Sequence, residues 1–68
     1  MRTEFQHYSD ERTIFTINET ILPNLNDGIV LNNEFYRVID ENCICPQDGV
    51  VYVTVRLNEE LRNLNEYP

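Results

Sequence analysis

The sequence predicts a mainly β fold: a small five-stranded antiparallel barrel or curled sheet, closed by a short C-terminal helix. Three observations carry this prediction. Residues 50–57, Val-Val-Tyr-Val-Thr-Val-Arg-Leu, alternate cleanly, with Val51, Val53, Val55 and Leu57 on one face and Val50, Tyr52, Thr54 and Arg56 on the other. Ile29 to Ile39 reads as an apolar run, the pair Asn32-Asn33 and a second apolar run, which is the pattern of a hairpin with a tight primed turn. The chain also lacks alanine, the strongest helix former, and is rich in the β-branched and aromatic residues that suit a pleated surface.

Each element follows in order. Thr3 to Tyr8 is read as the first strand, over 3–8, and Ser9-Asp10-Glu11 as the turn that ends it. The second strand, over 12–17, is built from β-branched residues around Phe15 and pairs with the first across that turn. Residues 18–28 form the longest irregular connection. Pro23 resists a helix interior or a central strand, and Asp27-Gly28 marks a turn in which glycine supplies a positive φ. Ile21, Leu22 and Leu25 are expected to fold this loop onto the core as a lid. Strands over 29–32 and 34–39 make the Asn-Asn hairpin. Asp40 to Gly49 reads as a loop that holds both cysteines, Pro46 and a second Asp-Gly pair. The strand over 50–57 is the strongest. Burial of an aliphatic side chain such as Val51 contributes about 1.5–3 kcal/mol, an upper estimate because unfolded chains are already partly collapsed. In the tail, Asn58 is placed to cap a helix over 59–64, with Glu59 and Glu60 in its first turn and Leu57, Leu61 and Leu64 along one edge.

At 68 residues the chain has room for one domain. A chain of this size buries only about 60% of the surface its unfolded form exposes, so the core must be compact. Hydrophobic residues make up 41% and charged residues 25%, a globular balance. Apolar runs of three or four residues are too short to span a membrane, and the first residues contain no apolar signal core; cytoplasmic residence is the default expectation.

Charge excludes one class of function. The chain has no lysine, and its 5 arginines face 12 acidic residues for a net charge of −7. Nucleic-acid binding needs cations that neutralise phosphates, so direct DNA or RNA binding is not expected. An acidic surface fits a well-solvated small protein or one that docks on a basic partner.

Candidate chemistry centres on Cys43-Ile44-Cys45. Structural zinc takes four ligands, and this chain offers two thiols and one histidine, so a metal site would need Cys43, Cys45, His7 and a carboxylate together, or a second cysteine pair from a symmetry mate, and neither is expected. A redox pair normally has two intervening residues at a helix start. The expected arrangement is that one cysteine packs as a small hydrophobe while Ile44 faces the opposite way. His7 is a candidate base only beside a nucleophile, and Ser9, the one serine, has no base at a telling spacing. Residues 27–34 do not match a calcium loop, and no Gly-rich phosphate cradle is present. Neither a catalytic set nor a cofactor is implied.

The run Asp27-Gly28-Ile29-Val30-Leu31-Asn32-Asn33-Glu34-Phe35-Tyr36-Arg37-Val38 resembles an element of small phage- and prophage-encoded β-barrel proteins. In those, a Gly-led strand, a polar turn and a Tyr-x-Val strand precede a further alternating strand, here Val51 to Leu57. The barrel itself is similar to SH3-like folds. The phage resemblance implies a connector or a host-directed inhibitor, and it carries no site residue over.

Tyrosine and arginine are the residue types enriched in protein-interaction hot spots. Tyr36, Arg37, Tyr52 and Arg56 are the candidate contact residues. The expected function is a non-catalytic protein-binding or assembly module, with a homodimer through a strand edge as one form of it. The alternative is an acidic inhibitor that imitates nucleic-acid charge and fills the basic groove of a host enzyme; it requires the carboxylates to line up on one ridge.

Overall fold

The computed structural model describes residues 1–59. Six strands are present: β1 (Arg2–His7), β2 (Thr13–Ile17), β3 (Gly28–Leu31), β4 (Glu34–Val38), β5 (Cys43–Cys45) and β6 (Val50–Leu57). They form one curled sheet, a half-barrel in the order β2-β1-β6-β4-β3, with β5 also on β6. The mainly β class holds, with one more strand than expected. Of the helix expected over 59–64, all but Glu59 lies outside the described residues.

The long alternating strand sits at the centre because its apolar face is the richest in the chain. β1 pairs with β6 along one side, Arg2 beside Val50 through His7 beside Val55, and the two run parallel. This corrects the expectation of a purely antiparallel sheet. Side-chain alternation states which face is apolar but not which strand lies alongside. On the other side β4 covers the C-terminal half of β6 and β5 the N-terminal half, both antiparallel. Val38 pairs with Val55 and Cys43 with Tyr52, so five steps along one strand match three along the other. The excess of two residues is a bulge at Ile39–Asn42, after which the chain resumes pairing as β5. The segment read as a loop therefore contains a strand. Three residues are too few to show a period, and the ladder to β6 forms it.

The core is Phe5, Leu31, Tyr36, Val38, Val51, Val53 and Val55, with Ile14, Ile17, Ile21, Ile29 and Leu57 packed against it. The predicted stripe at 51, 53 and 55 is wholly buried. Val50 is also wholly buried, although its register places it on the outer face; Arg2 and Cys45 flank it on either side. The curl brings the far edges together, where the Asn32 Nδ2 amide donates to the Ile14 carbonyl at 3.2 Å.

Two turns behave as expected and one residue does not. Asn32 and Asn33 both adopt positive φ, 52° and 66°, as a primed hairpin turn demands. Gly49 supplies a φ of +66° between β5 and β6. Gly28, in contrast, opens β3 without a positive φ. It is glycine because a Cβ there would overlap the Phe35 ring that lies across it. The connecting loop 18–27 is tied down by Ile21, but Leu22 and Leu25 are 53% and 52% exposed and form no lid. Among the described residues no helix is long and apolar enough to cross a membrane.

Candidate functional site on the outer face of the sheet

Alternation along β4 and β6 sends Phe35, Arg37, Tyr52, Thr54 and Arg56 to the side of the sheet away from the core. Arg37 and Arg56 stand directly opposite each other. Like charges in that position repel across a strand pair. Two aromatic rings moderate the repulsion: the Arg37 guanidinium lies 5.4 Å from the Phe35 centroid, and that of Arg56 4.3 Å from the Tyr8 centroid. Arg37 is held further by Nε donating to Asn58 Oδ1 at 3.0 Å and Nη1 donating to the Asn26 carbonyl at 2.7 Å.

No carboxylate lies within ion-pair distance of either arginine among the described residues. Arg56 Nε is buried and finds no hydrogen-bond acceptor there. Two of the other arginines do have carboxylate partners: Arg2 pairs with Glu4 at 2.8 Å and Arg12 with Asp10 at 3.9 Å. Arg2, followed by the Thr13 hydroxyl that also bonds it, holds the Glu4 carboxyl below its ordinary range.

An exposed apolar pair borders the arginines. Val30 and Phe35 face each other across the β3–β4 hairpin and are 68% and 46% exposed. Tyr52 lies further along β6, half-buried between Glu4 of β1 and Cys43 of β5. It lines a shallow hollow with Gln6, Glu11, Cys43 and Thr54. The structure thus places Arg37, Tyr52 and Arg56 on one face, and Tyr36 on the other. Tyr36 is buried, with its hydroxyl donating to Glu34 Oε2 at 3.1 Å, which corrects its selection as a surface contact. Val30, Phe35 and Tyr8 belong to the patch although the candidate set Tyr36, Arg37, Tyr52 and Arg56 does not include them. The Asn-Asn turn already sets Val30 opposite Phe35, so that pair was available from the register alone.

Both cysteines are free, and both project from the outer side of β5, beside Tyr52 and Val50. Neither enters the core, contrary to expectation. Their sulfurs are 3.8 Å apart. Its hydrogen bond with the Cys43 sulfur, which favours the protonated thiol, and a smaller effect of burial push the Cys45 thiol up. His7 is not brought to them, and among the described residues no three metal-ligating groups converge.

His7 has a different partner. Its Nδ1 lies 2.8 Å from Ser9 Oγ and 4.0 Å from Asp10 Oδ1. The sequence reading overlooked this i, i+2 contact because the turn, and not a strand period, creates it. Serine and aspartate address the same ring nitrogen, whereas a proton relay needs the nucleophile on one nitrogen and the carboxylate on the other. The trio is a turn motif.

Comparison with known proteins finds no matching family model, no similar curated protein and no similar solved structure.

Proposed function

We propose that this chain is a non-catalytic protein-binding or assembly module whose partner docks on the outer face of the sheet. One observation carries the reading: Arg37 and Arg56 stand opposite each other without a carboxylate among the described residues, in a chain that has 12 acidic residues to offer. Two guanidiniums placed together on aromatic rings are suited to accept an acidic side chain from outside. Phe35 and Val30 supply an apolar anchor beside them, so the patch has the Arg and aromatic composition of an interaction hot spot. Tyr52 extends it along β6. The net charge of −7 adds a condition, since a strongly acidic partner would be repelled at long range. The partner that fits presents a carboxylate within an otherwise neutral or basic surface. The likeness of residues 27–38 to small phage proteins is in keeping with an assembly role.

The mimic of nucleic-acid charge gains less support. Its carboxylates should form one ridge, yet Asp10, Glu11, Glu19, Asp27, Asp40, Glu41 and Asp48 fall in four separate connections between strands.

Affinity capture with cross-linking from the source cell tests the proposal. The unmodified chain is expected to retain a discrete protein that the Arg37→Glu/Arg56→Glu variant loses, while a Glu41→Gln control retains it. Loss of one hot-spot residue costs about 2 kcal/mol or more, or roughly 30-fold in affinity. Equal capture by all three proteins, with strand content unchanged by circular dichroism, would remove this face from consideration.

A further inference from the structure

Cys43 and Cys45 are the only thiols of the chain, and the docking face proposed above leaves them without a task. Residues two apart in a strand share a side, so both thiols project together from β5 while Ile44 points the other way. Their sulfurs stand 3.8 Å apart, and Cys43 is exposed. Zinc–thiolate bonds measure about 2.3 Å, so two sulfurs at that spacing subtend about 111° at a zinc ion, close to the tetrahedral angle. β5 therefore holds half of a tetrahedral thiolate set in position. The other half is not supplied locally: among the described residues no third His, Cys, Asp or Glu joins the pair.

The place of β5 in the sheet suggests the source. It lies off the main strand path and pairs with β6 alone. Antiparallel contact between β5 and the β5 of a second copy, centred on Ile44, sets each Cys43 opposite the other copy's Cys45 on one side of the joined strands. Four thiolates then surround one ion, the closed all-cysteine set that structural zinc takes. We propose that Cys43 and Cys45 are a zinc-thiolate half-site, completed by the same two residues of a second copy of this chain.

The reverse side of that contact agrees. Ile44 is 49% exposed and borders a hollow with Leu22, Pro23 and Leu25, so apolar side chains gain cover as the copies meet. A three-residue strand supplies few backbone hydrogen bonds, and two chains of −7 repel each other, so association depends on the metal. The inference does not rest on the docking face, and its failure leaves the Arg37–Arg56 reading intact.

The test uses the full chain, fully reduced with a phosphine, and zinc added stepwise. Native mass spectrometry and light scattering should show a monomer without metal and a dimer holding one zinc per two chains. Cobalt(II) in place of zinc should give the thiolate charge-transfer and d–d bands of a tetrahedral four-thiolate centre. Cys43→Ser and Cys45→Ser should each abolish the bands and lower zinc-dependent dimerisation at least tenfold, with strand content unchanged. A monomer that takes up no zinc, one zinc per chain without dimerisation, or a dimer that persists in both serine variants would each overturn the proposal.

Discussion

Thr3 shows how far one buried hydroxyl can reach. It is the only buried polar residue among those described, wholly enclosed beneath the 18–27 loop. Its Oγ1 donates to the Glu19 carbonyl at 2.7 Å and accepts from the Ile21 amide at 2.9 Å, which pins the start of that loop to β1. A Thr3→Val chain keeps the volume but leaves a carbonyl and an amide without their partner. The expected loss is about 1–3 kcal/mol, read as a lower urea midpoint with an unchanged slope. Thr3→Ser should recover most of it, which a pure packing role would not predict. Nothing near Thr3 in the chain announces this duty, because its partners lie 16 and 18 residues away.

The β3–β4 hairpin is decided by two local facts. Asn32 and Asn33 accept the left-handed backbone, and that turn fixes Leu31 opposite Glu34 and Val30 opposite Phe35. Gly28 then leaves room for the Phe35 ring, which in turn lies under the Arg37 guanidinium. Gly28→Ala should displace the ring, not the backbone, because the colliding atoms are the far end of an exposed side chain. The expected cost is about 1 kcal/mol, the sum of lost ring packing and part of the cation–π contact. In a Phe35→Ala background the same substitution should cost almost nothing, and a double-mutant cycle by thermal unfolding measures the difference. The turn and register were readable from the residues. Which face of the hairpin turns inward was not: Ile29, Leu31, Tyr36 and Val38 compete with Val30 and Phe35, and both sets are apolar. Tyr36, a candidate contact by residue type alone, falls on the face that turns inward.

For the molecule as a whole, net charge and one carboxylate pair oppose each other in acid. At −7 the folded chain repels itself, and added salt should raise its melting temperature at neutral pH. Glu4 behaves differently, since Arg2 and Thr13 lower its pKa in the folded state. A carboxyl depressed on folding contributes stability above its ordinary value of 4.5 and loses that contribution as pH falls through the folded value. The stability gap between the unmodified chain and Glu4→Gln should therefore hold steady above that point and close in acid, as urea unfolding at a series of pH values would record. The β class, the buried stripe at Val51, Val53 and Val55, and the outward setting of Tyr52 and Arg56 all follow from a two-residue period and backbone sterics, which are local properties that a short stretch carries in itself. The parallel seat of β1, the bulge that turns Cys43–Cys45 into a strand, and the meeting of Arg37 with Arg56 depend on hydrogen bonds between distant segments. Those partners are chosen only when the sheet curls to enclose its core.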